Sequence, residues 1–207
     1  MEIHIATIVE GHGEEEAVPV LLRRIASDQM PEAVLRLPRP IRVPRSRLVK
    51  PGELERAVEL AARRVGGRGG VLVVFDADDD APCHLGPDIL RRARAKRADL
   101  PISVVLAKQE FESWFLAAAR SLRGRRGLAD AIEPPDDPES VRSPKGLLSR
   151  WMTPPRTYSE TLDQPALASV FDLAAARRAD SFDKLWRDVG GLLREVARRA
   201  AESRDEG

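Results

Sequence analysis

The run Val71, Leu72, Val73, Val74, Phe75 is the feature that most limits how this chain can fold. It is apolar throughout and rich in β-branched residues, with Gly69 and Gly70 before it and Asp76 after it. An uninterrupted apolar run of this length reads as a strand covered on both faces, the habit of strands in a parallel sheet. Ile3 to Val9 is a second buried run, closed by Glu10 and the turn residues Gly11 and Gly13, and Ile102 to Leu106 is a third.

Helical spacing fills the intervals between these runs. A helix is predicted over Glu14 to Ser27, with Glu14, Glu15 and Glu16 in its first turn, where carboxylates complement the helix dipole. Pro19 is expected to delay its regular start to about Val18. Pro51 to Val65 has proline at its start, Leu54, Ala57, Val58, Leu60 and Ala61 at helical spacing, and a Gly66-Gly67 stop. Pro87 to Arg97 fits a third helix, and Val34 to Val43, interrupted by Pro38 and Pro40, an edge or irregular strand. This alternation predicts an α/β fold with a mainly parallel, four-stranded sheet flanked by helices.

A further helix is expected over Glu110 to Leu122, then an exposed connection from Gly124 to Pro138. The rest reads as helices over Lys145 to Trp151, Gln164 to Ala176 and Phe182 to Ala201, with the last six residues frayed. The expected organisation is an α/β domain over 1–123 and a helical extension over 124–207, packed together as one compact unit.

With 207 residues, 43% of them hydrophobic, the chain can bury one full core but not two large domains. Thirty-four basic residues nearly cancel thirty-three acidic ones, so a formal charge of +1 gives no global footprint of a nucleic-acid binder. The single cysteine, Cys83, excludes an intrachain disulfide. No apolar run approaches a membrane span and no signal-like segment opens the sequence. The expectation is a cytoplasmic protein without membrane contact.

Chemistry concentrates where the strands end. Glu10 follows the run Ile3 to Val9, and Asp76 and Asp78 follow Val71 to Phe75, at the same end of the predicted sheet, where open α/β proteins bind their ligands. Like charges at close range repel and raise one another's pKa, a conflict that a cation resolves. Oxygen-only donors suit Mg²⁺ or Mn²⁺ better than zinc. The plainer alternative is that Glu10 and Glu14 cap the first helix while Asp76, Asp78, Asp79 and Asp80 form a solvated acidic loop. Glu110 and Glu112 raise a geometric condition: two residues apart on one helix they would diverge, so both reach a single site only if Glu110 precedes the helix. Trp114, Phe115 and Leu116 read as core rather than as a base-stacking platform.

Glu10-Gly11 after the first strand and Asp76-Ala77-Asp78 after a later one resemble the Toprim fold of topoisomerases, bacterial primases, small ribonucleases and the overcoming-lysogenization-defect nucleases. Three more pieces resemble the small bacterial family catalogued as domain of unknown function 4276, and extend the likeness over nearly the whole chain. These are the opening from Val9 to Glu14, the segment Glu110 to Leu116, and Ser181 to Leu185. The resemblance implies a Toprim-like, metal-dependent, nuclease-like site with Glu10, Glu14, Asp76 and Asp78 as ligands. It also implies that the Glu110–Glu112 segment supplies the additional acidic ligand of nuclease-type members.

Basic residues near this edge are Lys108, just after the strand Ile102 to Leu106, and Lys145, at a helix start in Ser143-Pro144-Lys145-Gly146. A lysine beside bound metals stabilises charge developing in a phosphoryl-transfer transition state, and Lys145 is the candidate for that role. Arg45, Arg47 and Lys50 sit in a Pro-flanked loop and, with Lys108, are the candidate phosphate contacts; a solvated surface loop is the competing reading. His4, His12 and His84 have no zinc spacing with Cys83. No Walker-type phosphate loop and no Ser-His-Asp or Cys-His arrangement is present in the sequence.

The leading expectation is therefore a Mg²⁺- or Mn²⁺-dependent nuclease acting on DNA in preference to RNA, with Glu10, Asp76, Asp78 and Lys145 as its catalytic residues. A role in antiphage defence or DNA processing goes with it, and a homodimer would lengthen its basic grip. The alternative is a non-catalytic binding subunit that works with an ATPase partner.

Overall fold

The computed structural model describes residues 1–205. Strand β1, Glu2–Val9, runs into helix α1, His12–Gln29. Two short strands follow, β2 at Val34–Arg36 and β3 at Ile41–Arg42, and both pair in parallel with β1. Pro38 and Pro40 lie between them, and a residue without an N–H cannot extend the ladder. The first position of the expected four-stranded sheet is thus filled by two strand fragments.

Helices α2, Arg45–Leu48, and α3, Glu53–Arg64, lead to β4, Gly70–Asp76. Helix α4, Pro82–Lys96, leads to β5, Ile102–Ala107. The sheet order is β2-β1-β4-β5 and every pairing is parallel. Along β4, Leu72 and Val74 enter one core with α1 and the C-terminal helices, while Val71, Val73 and Phe75 enter another with α3 and α4. Alternate side chains thus find an apolar layer on either side, which explains why the run contains no polar residue.

The later part of the chain departs from its predicted helices. Residues Glu110–Leu122 do not make one helix: α5 covers Ser113–Ala117 and a 3-10 turn covers Ala119–Leu122. Helix α6 is Pro144–Trp151. The helix expected over Gln164–Ala176 is two helices, α7 at Glu160–Ala168 and α8 at Leu173–Ala176. The break is built in: Arg24 donates to the carbonyls of Ala168 and Phe171 at 2.8 and 2.7 Å, and the Asp172 carboxylate accepts from the N–H groups of Ala174 and Ala175. One helix end is satisfied and the next one capped within four residues.

Helix α9, Asp180–Asp205, places Phe182, Leu185, Val189, Leu192, Leu193 and Val196 in the α1-side core. It extends past the predicted end at Ala201, so Glu202 to Asp205 are helical; the remainder of the expected frayed tail lies outside the described residues. Two other starts also differ. Helix α1 begins at His12 despite Pro19, because the Glu14 carboxylate accepts the Gly11 N–H at 2.8 Å and secures the first turn. Helix α4 begins at Pro82, at its first turn, where a missing N–H costs nothing, and runs on through Pro87. No described helix is long and apolar enough to cross a membrane.

Candidate functional site

Glu10 and Asp76 leave neighbouring parallel strands at the same sheet edge, and the Glu10 carboxylate accepts the Asp76 N–H at 3.3 Å. Asp76 is buried, and its Oδ1 accepts the Phe111 N–H at 2.8 Å. That bond ties the end of β4 to the turn carrying Glu110 and Glu112. Glu110 lies in the turn before α5 and Glu112 is the residue preceding its first turn, so the condition for both to serve one site is met. Trp114, Phe115 and Leu116 beyond them are fully buried, in an aromatic cluster with Phe111, Phe171 and Phe182.

Lys145 stands in the middle of these carboxylates. Its ammonium is 3.0 Å from Glu160, 3.9 Å from Asp76, 3.9 Å from Glu110 and 4.0 Å from Glu112. Its backbone N–H donates to the second oxygen of Glu110 at 3.2 Å, which roots the start of α6 at the sheet edge. Glu112 is 0% exposed, and Oε1 accepts from the Tyr158 hydroxyl at 2.7 Å and from Gln164 Nε2 at 3.3 Å. Its other oxygen, Oε2, is buried without any hydrogen-bond partner.

The electrostatics follow from burial. Asp76 is held well above the ordinary carboxylate range by loss of solvent and then by repulsion from Glu112 and Glu14, against the pull of Lys145. Burial pushes Glu112 up to about 7, although Lys145 and Tyr158 oppose it. Glu10 is raised by burial, with Asp78 and Glu14 adding to the effect against the Asp76 N–H. Burial works against the charge on Lys145, but Glu112 and Asp76 outweigh it and its pKa rises. The Tyr158 hydroxyl is raised by burial and by the adjacent Glu112 carboxylate, so it remains a donor.

Other candidates lie differently. Glu14 is buried in the first turn of α1, with one oxygen committed to Gly11. Asp78 stands apart from the lysine: its backbone has φ 49° and bridges to Gln109, and its exposed side chain faces Arg45 at 3.5 Å. Arg45 and Arg47, expected in a loop, belong to α2, and Arg45 is also paired with Asp80. Arg47 is bound to Glu53 at 2.7 Å. Lys50 is exposed beside them, and neither it nor Lys108 makes an ion pair among the described residues. Lys108 is on the far side of the β4–β5 edge, where it lines a cavity of about 790 Å³ with Leu90, Val104 and Leu106.

Three site residues escape sequence reasoning: Tyr158, Glu160 and Gln164. Gln164 carried a signal, since it sits three and four residues before the buried Leu167 and Ala168, on the inward stripe of α7. Gly13 explains its access. A side chain there would strike the Gln164 amide and come within 2.9 Å of the Glu160 carbonyl, so the second glycine of Gly11-His12-Gly13 is what lets α7 close over α1.

Among the described residues no three His, Cys, Asp or Glu side chains are gathered so as to hold a metal ion. The carboxylates surround an ammonium. The donor set is nonetheless of the right chemistry for a hard divalent cation: all oxygen, in excess of the one positive charge present, with an orphaned Glu112 oxygen directed at the same space.

Fold and site together define an α/β protein that carries a cage of carboxylates at the C-terminal edge of a parallel sheet. The chain belongs to the family described as Domain of unknown function (DUF4276), whose sequence model matches residues 9–190. No curated protein and no solved structure matches it.

Proposed function

We propose that this chain is a divalent-metal-dependent nuclease of the Toprim type, hydrolysing phosphodiester bonds of nucleic acid, with DNA the first substrate to test. The observation that carries this reading is Glu112, fully buried and aimed with an unpartnered oxygen at the space it shares with Lys145 and the buried Asp76. Such an arrangement costs folding stability, and a bound cation offsets that cost.

Glu10, Asp76 and Glu112 would hold Mg²⁺ or Mn²⁺, with Glu14 and Glu110 beside them. When bound, the ion supplies Lewis-acid polarisation of a phosphoryl oxygen and a lowered pKa for an attacking water. The chain's own residues position and charge the site. Tyr158 and Gln164 fix the rotamer of Glu112 through its other oxygen. Lys145 holds its proton and presents positive charge where negative charge develops on the phosphoryl group. Asp78 and Arg45 flank Glu10 at the rim of the same edge.

A second reading is favoured by one observation. Arg45 and Arg47 are neutralised within the chain, so the local basic grip expected for a nuclease is largely spent. On that reading the cage binds and does not cut, and the protein serves an ATPase partner as a regulatory subunit.

The experiment is cleavage of supercoiled, linear and single-stranded DNA, and of RNA, with Mg²⁺ or Mn²⁺ by the parent, Asp76→Asn and Glu10→Gln. Asparagine at 76 can still accept the Phe111 N–H, so the fold should persist while metal uptake and cleavage are lost. Folded variants that cut like the parent remove these carboxylates from the reaction. A parent that never cuts, alone or with an ATPase partner, leaves the binding reading.

A further inference from the structure

The ammonium of Lys145 does not satisfy the cage it sits in. It is in hydrogen-bonding range of Glu160 alone, at 3.0 Å, and the 3.9–4.0 Å separations from Asp76, Glu110 and Glu112 are beyond direct bonding. Glu112 Oε2 is therefore left with a nearby charge and no donor. The ammonium's nearest partner, Glu160, is the exposed member of the group, at the rim.

Lysine is also the uncommon choice here. The chain has five lysines among its thirty-four basic residues. An arginine would lock its planar fork onto a carboxylate, whereas an ammonium on a four-carbon stem can swing without losing its charge. The Lys145 side chain is partly exposed and its backbone is held by Glu110, so the stem is anchored at its base while the tip borders solvent.

We propose that Lys145 and a divalent cation occupy the carboxylate cage in turn, the ammonium withdrawing along Glu160 when an ion enters. The proposal rests on reading the cage as a cation site, but not on cleavage. Lys145 then acts as an internal counter-ion that steadies the metal-free protein and lowers its apparent affinity for metal, as any competing occupant must. Glu160, already 3.0 Å from the ammonium, acts as the rim anchor that keeps hold of it as it leaves the other carboxylates.

The test is calorimetric titration of Mn²⁺ and Mg²⁺ into the full chain and its variants, with thermal melts to check folding. Lys145→Met keeps the stem and deletes the charge; it should bind Mn²⁺ about tenfold tighter or more, since two like charges a few ångströms apart repel strongly in a partly buried site. Lys145→Arg should bind no tighter than the parent. Glu160→Gln should weaken uptake in the parent by more than it does in the Lys145→Met background.

A second readout uses the parent alone. After reductive methylation with ¹³C, the five lysines give few enough signals to follow, and Lys145→Arg assigns the one of interest. That signal should move during a Mg²⁺ titration, in step with metal uptake, and this arm decides the matter if Lys145→Met fails to fold. Equal or weaker binding by folded Lys145→Met, or a Lys145 signal that stays still while metal binds, overturns the proposal. Equal losses from Glu160→Gln in both backgrounds overturn the anchor role. Metal uptake with competition but no cleavage leaves this inference standing without the nuclease; metal-dependent cleavage without competition does the reverse. No uptake by any variant sinks both.

Discussion

Replacing Glu112 by Gln should make the metal-free protein more stable above neutral pH, and the size of the gain follows from its burial. Burial pushes Glu112 up to about 7 in the fold from an ordinary 4.5, outweighing the help of Lys145 and Tyr158. The native state thus binds this proton more tightly than the unfolded chain. The stability contributed by the neutral carboxyl is complete below pH 4.5 and is lost as pH rises through 7. That interval converts to about 3 kcal/mol. Glutamine copies the neutral form, and its amide oxygen can accept from Tyr158 and Gln164 as Oε1 does. With EDTA present, urea unfolding of parent and variant should coincide near pH 4.5 and diverge to about 3 kcal/mol at pH 8, a midpoint shift of roughly 1 M or more. Taking the difference between the two proteins cancels the titrating groups that do not feel Glu112; Asp76, Lys145 and Tyr158 do feel it and stay in the difference. Saturating Mg²⁺ should then raise the parent and not the variant, because only the parent keeps the ligand. A variant less stable than the parent at pH 8, or a difference that does not change between pH 4.5 and 8, would refute the reasoning.

Two further perturbations test the surroundings of the site. Gly13→Ala should destabilise the protein by about 1–3 kcal/mol in thermal melts, since the new methyl meets the Gln164 amide and the Glu160 carbonyl; an unchanged melting temperature would mean that α7 does not close tightly on α1. Replacing Arg45, Arg47 and Lys50 together should flatten the salt dependence of nucleic-acid binding by about one unit of log–log slope, for Lys50, because both arginines are already paired within the chain. A loss near three units in a filter-binding series would show that those pairs open on the substrate.

The strands were legible because each is a local statement about burial. Val71 to Phe75 is apolar at every position, and the structure covers it on both faces; Ile102 to Leu106 lies parallel beside it. The placement of Glu10 and Asp76 at one edge follows directly, since parallel neighbours end on the same side. Helix boundaries were less legible where side chains override spacing. Glu112 stood at the head of a single short helix rather than inside a long one, and the Arg24 and Asp172 bonds split a predicted helix into α7 and α8.

Asp76 and Asp78 show where pattern stops. They are equivalent in a sequence motif, yet a left-handed backbone at Asp78 turns one outward to Arg45 while the other is buried against Phe111. Tyr158, Glu160 and Gln164 are more distant still. They reach Glu112 and Lys145 only because α7 packs on α1 through Gly13. The sequence by itself determined which segments must be buried and which carboxylates stand at strand ends, because those are short-range consequences of hydrophobic pattern and strand direction. Only the tertiary structure decided which of the carboxylates share a lysine, and which is left with an unpartnered oxygen, because those depend on side chains brought together from segments tens of residues apart.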